Sequence, residues 1–510
     1  MEQNQSKKNR NQEEEMVGVD RISNLPDHVI HHILFFLPTK DIICTSIVSK
    51  RWVHLFATFP IIDLNEEWYL NFDVPSCRER FLDSMRLTLL RRSMMHLDTL
   101  QICTVLLHDN LLDFLLDRFI ALAMRGNVRV LDLEFATKRH TIPEEECNAC
   151  YVLPRIIFSA GSCLVCLMVE GCIFKVYNAM NFQSLKTLSM VNTHIRDEML
   201  MEMICCCPSI ESLTLERCHG LKTIRVFNGK LEHLRIRSCR ELEAFEMDVP
   251  SLQSFKYKAS RYLVGQIEIL GFKTTSNSSF SSLTTFVLTH VKMTAEIFQH
   301  MISSFPQLVI ITLKFCEIVK RPKIVFAKLK KFMVEDCNFR DKVDIMAPDL
   351  EYLTYVDNLR GCTFIPSNID VGFRALKTLS LEGHIELSDE SLQFVCSYCH
   401  LLEHLSLRFC SGLKYIKICN YSLKSLLLEE CGNVEDCNID APILLFFKYV
   451  GPLLEFSYVN VSNVLDTKLH LRPNHRDNYQ PFELRNLLWK FNQARVITLI
   501  CKLVKVHIFT

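Results

Sequence analysis

Glycine is scarce in this chain, with 14 in 510 residues. That is too few for a glycine-rich β-sandwich. Neither a phosphate-binding loop, nor a dinucleotide fingerprint, nor an H-E-x-x-H zinc helix is found. Net charge is missing as well: 58 basic and 58 acidic side chains cancel, so no overall field draws the chain to nucleic acid or an anionic membrane. No run of eighteen apolar residues could span a bilayer. The opening MEQNQSKKNRNQEEEMVGVD has no apolar core of a secretory signal. Without export the thiols are expected to stay reduced, and 23 cysteines, an odd number, do not suggest a disulfide framework. Nucleus and cytoplasm both fit, since SKKNR is too short and mixed to be a localisation signal.

What is present is apolar and patterned. Hydrophobic residues make up 49% of the chain, ample for a large core. The length suits two to four domains, or one repeat array with an appendage. Residues 1–20 read as a disordered tail. Behind them lies ISNLPDHVIHHILFFLPTKDIICTSIVSKRW, from Ile22 to Trp52. Val29, Ile30, Ile33, Leu34 and Leu37 form one helical stripe. Pro26 and Asp27 suit its first turn, and Pro38 stops it. Thr39 can cap a second helix carrying Ile42, Ile43, Ile47 and Val48, and a third restarts with Trp52, Leu55 and Phe56. A unit of this size is marginal alone. Either the three helices pack on the rest of the chain as an N-terminal cap, or a second protein covers part of their apolar face.

Leu25-Pro26, the helix end at Leu37-Pro38, and Val48-Ser49-Lys50-Arg51-Trp52 at this spacing resemble an F-box. The resemblance spans roughly residues 21–60. In that family the F-box binds the SKP-type adaptor of SCF ubiquitin ligases. Carried over by position, Leu25, Pro26, Ile30, Ile33, Leu34, Leu37, Pro38, Ile43, Val48 and Trp52 would form the contact or its immediate support. In such helix-packing interfaces a few large buried anchors supply most of the energy.

Beyond about Leu97 one pattern recurs, with apolar residues at n, n+3 and n+5 and often cysteine at n+8. Its anchors are Leu164, Leu185, Ile210, Leu231, Leu252, Leu283, Leu308, Leu329, Leu350, Leu376, Leu402, Leu423 and Leu444. Less regular copies begin at Leu97 and Val128. A period of 20–30 residues with this spacing is the leucine-rich-repeat signature. From Leu185, Leu283 and Leu376 a four-turn block is used three times, with steps of 25, 21, 21, then 25, 21, 21, then 26, 21, 21. Each long step carries a helix-like segment: RDEMLMEMICCCPSI, TAEIFQHMISSFPQL and SDESLQFVCSYCHLL. The 21-residue turns are too short for a full helix, so a loop or single helical turn is expected opposite their strands. The fourth strand of each block has its own signature, VPSLQSFKY, APDLEYLTY and APILLFFKY.

The expected fold is therefore α/β: a small three-helix F-box over 21–60, then a leucine-rich-repeat solenoid over 61–470, a horseshoe built on one parallel sheet. Residues 471–510 form a C-terminal segment. The whole resembles plant F-box/LRR proteins that often end in an FBD module. PFELRNLLWKFNQARVITLICKLV looks like the approach to that module, which is expected to be absent or truncated at Thr510.

Tempting chemistry is explained by the repeat. The n+8 residues Cys172, Cys218, Cys239, Cys316, Cys337, Cys410 and Cys431 suit small buried positions where the chain leaves each strand. Cys147, Cys150, Cys163 and Cys166 give C-x2-C-x12-C-x2-C, a zinc-like spacing, but the latter pair flanks repeat positions and metal is not expected. Cys396 and Cys399, and the run Cys205-Cys206-Cys207, fall at ends of the helix-like segments. His31-His32 reads as surface. No Cys/His or Ser/His/Asp signature is recognisable, so the chain reads as non-catalytic and without a cofactor, in line with the ligase-subunit role that the F-box resemblance implies.

Side chains at n+4 and n+6 should face the concave side. There Arg235, Arg237, Lys256 and Lys258 would gather on two adjacent strands. They form either a solvated basic face or a docking patch for an acidic or phosphorylated substrate segment. The expected role is a substrate adaptor, reaching cullin through the SKP-family partner and holding an unknown substrate protein on the repeat arc. Neither nucleic acid nor membrane is expected as a partner. The rival readings are a non-degradative or inactive scaffold, and a small-molecule-sensing receptor.

Overall fold

The computed structural model describes residues 25–45, 50–69, 77–91, 97–105, 110–136, 151–175, 180–260, 270–273, 280–319, 323–339, 344–363, 373–432, 434–472 and 481–501. The chain divides into two compact units at Leu221/Lys222.

The first unit opens with helices α1 (Asp27–Leu34), α2 (Thr39–Thr45) and α3 (Lys50–Thr58). Among the described residues, six strands of one ladder follow: β1 (Ile61–Asn65), β2 (Thr99–Val105), β3 (Val130–Ala136), β4 (Cys166–Glu170), β5 (Thr187–Val191) and β6 (Ser212–Glu216). Each pairs with the next in parallel. Helices α4 (Cys77–Arg91), α5 (Asn110–Arg125), α6 (Arg155–Ser159) and α7 (Asp197–Cys205) lie in the connections.

Among the described residues, the main ladder of the second unit repeats the plan with twelve strands: β7 (His233–Arg237), β8 (Ser254–Lys258), β9 (Thr285–Thr289), β10 (Ile310–Lys314), β11 (Lys331–Glu335), β12 (Tyr352–Thr363), β13 (Thr378–Glu386), β14 (His404–Arg408), β15 (Ser425–Glu429), β16 (Phe446–Gly451), β17 (Asp466–Leu471) and β18 (Val496–Cys501). They too pair in chain order, all parallel. Helices α8 (Ala295–Ser303), α9 (Asp389–Tyr398) and α10 (Pro481–Lys490) lie in the connections. The last of these pairings joins β17 to β18, which lies in the C-terminal segment 471–510.

All thirteen anchors are buried, as are the side chains at n+3 and n+5. Strands of five residues with a buried-exposed alternation are the result: one face joins the core and the other meets solvent. The n+8 cysteines occupy the exit turn. Cys218 Sγ donates to the carbonyls of Met190 (3.5 Å) and Glu216 (3.7 Å). Cys410 does the same with Leu381 (3.6 Å) and Arg408 (3.7 Å). The thiol thus satisfies backbone oxygens of its own strand and the one before it.

At n+7 the backbone takes a left-handed conformation in ten of the thirteen turns, eight times without glycine: Asn192, Arg217, Ser238, His290, Phe315, Asp336, Phe409 and Glu430 have φ between 49° and 58°. Such a residue is strained on its own. It is held because its N–H reaches the n+6 carbonyl of the next strand, as from Phe315 to Glu335 (2.7 Å) and from Phe409 to Glu429 (2.7 Å). Glycine is required where the preceding strand runs on. A Cβ at Gly171 would lie 2.1 Å from the Phe135 carbonyl oxygen, and one at Gly383 2.0 Å from that of Asp357. The three turns without the left-handed residue (Ala259, Asp357 and Gly451 at n+7) are the fourth strands of the three blocks.

The three long steps hold α7, α8 and α9, as their sequences imply. Thr294 and Ser388 cap the last two through their hydroxyls, whereas Arg196 makes no side-chain cap to α7. The short turns correct the expectation of a loop or single helical turn. Opposite their face strands they form short extended segments that stack into second parallel ladders, Thr223–Phe227 on Ala244–Asp248 and Tyr415–Cys419 on Asp436–Asp440, each ladder extended by one segment outside the 21-residue turns, Leu270–Lys273 and Glu455–Asn460. With a 21-residue period, identical spacing puts these segments side by side, so backbone hydrogen bonding between copies replaces the helix that will not fit.

Candidate functional site

The first surface is built by α1–α3. Ile30, Leu34, Ile42, Ile43, Trp52, Leu55, Phe56 and Phe59 form one buried cluster, with Leu25 and Ile61 packed against it. α1 starts after Pro26, whose carbonyl accepts from the N–H groups of Val29 and Ile30. Thr39 does not cap α2. It is buried, and its hydroxyl accepts from the Asp63 N–H of β1 (2.9 Å), while the Pro38 carbonyl receives the N–H groups of Asp41 and Ile42. Tethering the helices to the sheet takes the capping oxygen. Arg51 Nη2 donates to the Leu25 carbonyl (2.5 Å) and to Asp27 Oδ1 (2.6 Å), fixing the entry of α1 against α3.

Of the ten residues carried over from the F-box, Ile30, Leu34, Ile43 and Trp52 are buried inside this cluster and can act only as support. Pro26, Ile33 and Leu37 are exposed, while Leu25 and Pro38 are half-buried. Val48 lies outside the described residues. Phe35 and Phe36, which helical periodicity does not single out, are 61% and 72% exposed beside Ile33 at 39%. Their rings meet edge to face at 5.9 Å, and His32 packs edge-on to Phe36 at 5.2 Å. Two phenylalanines off the buried stripe of a short helix were the available signal. His31 is not a plain surface residue. It is half-buried, packs edge-on to Phe59 and shares a 3.3 Å hydrogen bond with the Leu55 carbonyl.

The second surface is the solvent-facing side of the strands. In the second unit, β7 and β8 bring Arg235 opposite Lys256 and Arg237 opposite Lys258. All four point away from the core, as the alternation implies. Elsewhere on this unit cations sit in ion pairs: Lys314 with Glu335, Lys377 with Glu351, and Arg408 between Glu382 and Glu429. In the first unit the same face carries acids. Asp63, Gln101 and Asp132 stand in register on β1–β3. Burial and the neighbouring Asp132 push the Asp63 carboxyl up to about 6.

The cysteine motifs resolve into structure where they are described. Cys147 and Cys150 lie outside the described residues. Cys166 opens β4 and Cys163 sits in the turn before it. Cys396 and Cys399 are buried at the end of α9, where Asn420 Nδ2 donates to both their carbonyls at 3.0 Å. Burial pushes both thiols up to about 12, far from the thiolate a nucleophile or metal ligand needs. Among the described residues no three His, Cys, Asp or Glu side chains converge as a metal site, and no helix is long and apolar enough to cross a membrane.

Comparison with known proteins agrees with this architecture. The F-box domain model matches residues 22–63, and the model described as At1g61320/AtMIF1, LRR domain, matches residues 89–268 and 357–487. The putative F-box/FBD/LRR-repeat protein At4g03220 of Arabidopsis thaliana is 28% identical over 52% of this chain and 51% of its own length. From the same plant, F-box/LRR-repeat protein 13 is 30% identical over 43% of this chain and 44% of its own, and F-box/LRR-repeat protein 25 is 27% identical over 47% and 86%. The chain thus spans about half the length of the first of these relatives. With helices α1–α3 in the F-box match and parallel leucine-anchored strands in the repeat match, the chain belongs to the plant F-box/LRR-repeat proteins.

Proposed function

We propose that this protein is the substrate-recognition adaptor of an SCF-type cullin ubiquitin ligase. In this reading α1–α3 bind a SKP-family adaptor and, through it, cullin, while the strand face holds a substrate protein. The observation that carries it is the apolar group Ile33, Phe35, Phe36 and Leu37, which the internal cluster leaves exposed. Exposed apolar side chains beside a packed helical core are what a helix-packing partner covers. No bond chemistry is asked of the chain. Holding a substrate lysine near a ubiquitin-charged enzyme raises its effective concentration. Nucleus and cytoplasm are the compartments proposed for it, where its thiols stay reduced.

The test is binding of the purified chain to a SKP-family adaptor, beside Ile33→Asp, Phe36→Asp and Leu25→Ala/Pro26→Ala variants that keep the wild-type melting curve. Submicromolar binding lost by at least tenfold in the variants supports the reading. A folded wild type that ignores the adaptor overturns it and leaves a scaffold without ligase function.

A further inference from the structure

We propose that Arg235, Lys256, Arg237 and Lys258 form the docking site for an acidic segment of the substrate protein, either a phosphoserine-bearing or a Glu/Asp-rich stretch. The inference rests on the reading of the strand face as the substrate-holding surface and names what that surface takes.

Three observations point the same way. First, Arg235 stands in register with Lys256, so two like charges face each other on neighbouring strands. Such pairs repel and cost stability, and a bound anion offsets that cost. Second, among the described residues Arg235 and Lys256 have no ion pair, in contrast to Lys314, Lys377 and Arg408 on the same unit. On the adjoining strand β9 the same face offers Thr285, Val287 and Thr289, with no carboxylate. Third, the central row that begins at Arg235 and Lys256 runs by register through Val287, Thr312 and on to Thr498 without one acidic side chain. The carboxylates nearest that row, Glu335, Glu382, Glu429 and Asp466, are each engaged by a cation of the same unit.

The size fits. Adjacent strands are about 5 Å apart, and n+4 and n+6 are about 7 Å apart along a strand. The Arg235–Lys256 pair accepts one phosphoryl group or carboxylate, and the spacing to Arg237 and Lys258 matches a second acidic residue two positions along an extended peptide. Arginine favours both through bidentate, charge-assisted bonds. The zero net charge of the chain argues for a local acidic motif over a polyanion, whose binding draws on extended positive surface.

The test is fluorescence anisotropy with the full chain and labelled twelve-residue peptides: one of alternating Ser and Glu, its phosphoserine form, and a Ser/Gln control. Both acidic peptides should bind and the neutral one should not. Affinity should fall at least tenfold in Arg235→Glu/Lys256→Glu and severalfold in Arg235→Gln/Lys256→Gln. Lys417→Glu, on the strand opposite the face, should leave it unchanged. A preference between the two acidic peptides, with competition by inorganic phosphate, tells which acid is read. Equal binding by the double variants, equal binding of the neutral peptide, or tighter binding of a single-stranded oligonucleotide through the same residues would overturn the proposal. Adaptor binding is measured in parallel. A chain that binds the adaptor but no acidic peptide loses this proposal alone. A chain that binds peptide through Arg235 and Lys256 but no adaptor keeps it and loses the ligase reading.

Discussion

Arg78 Nη1 donates to both carboxylate oxygens of Glu66, at 2.8 Å each. Glu66 is buried and also accepts from Thr104 Oγ1 (2.6 Å) and the Val105 N–H (2.9 Å), while the same arginine nitrogen reaches the Val105 carbonyl (2.8 Å). One ion pair therefore fastens α4 and the turn at residues 66–69 to the end of β2. Removing one member of such a pair leaves a buried charge uncompensated, which costs about 3–5 kcal/mol. Arg78→Ala or Glu66→Ala should lower the denaturation midpoint of the first unit accordingly, and Arg78→Met/Glu66→Leu should cost less than either. Chemical unfolding of the full chain checks this. A double variant as unstable as the two singles combined would contradict it.

Gly383→Ala places a methyl group 2.0 Å from the Asp357 carbonyl oxygen at a φ of +99°. The neighbouring strand cannot retreat without losing its ladder, so a loss of about 2 kcal/mol or more is expected. Ser238→Gly, at a φ of 56°, should be neutral or stabilising by up to about 1 kcal/mol, since relief of left-handed strain opposes added chain entropy. Thermal melts of the two variants should move in different directions or by very different amounts.

The pH response of the first unit should carry the mark of Asp63. Its carboxyl holds a proton to about pH 6 in the folded protein, because of burial and Asp132, but only to about pH 4 when unfolded. Between these values the folded state binds more protons, so this group's contribution to stability falls as pH rises. Asp63→Asn should therefore gain on the wild type at pH 7.5, with the gap closing toward pH 4. Melting both proteins across that range measures it, and a pH-independent gap would refute the assignment.

Arg51→Ala should separate binding from folding. Its pair with Asp27 is largely exposed, and such pairs contribute about 0–1 kcal/mol. The melting temperature should shift by only a few degrees. The Leu25 carbonyl loses its donor, however, and the Leu25-Pro26 entry to α1 loosens. Adaptor affinity should drop severalfold, measured by calorimetry beside the unchanged circular dichroism spectrum.

The repeat was legible because burial at n, n+3 and n+5 is a demand that thirteen turns make in the same way. Leu308, Ile311 and Leu313 are buried for the same reason as Leu402, Leu405 and Leu407. The helices in the long steps were legible from their length and composition. The second ladders were not. Tyr415–Cys419 is short and is held by the segment 21 residues on, Asp436–Asp440, which no local window reports. The left-handed turns were hidden too, because Arg217, Phe315 and Phe409 lack the glycine that normally marks them. On the F-box, the sequence found the stripe that packs inward better than the face left outside. Ile30 and Leu34 follow helical periodicity, whereas Phe35 and Phe36 fall in the turns that end α1.

The left-handed residue at n+7 has a consequence for how such a protein diversifies. Register from turn to turn is carried there by a main-chain N–H, so no side chain is needed to keep it. Asparagine, arginine, serine, histidine, phenylalanine, aspartate and glutamate all serve, and all are at least partly exposed. The rim of each unit is thus a row of positions whose chemistry can change while the scaffold stays the same. A lineage that copies the block inherits a fixed frame with a freely variable edge, and new recognition can be written along it without rebuilding the core.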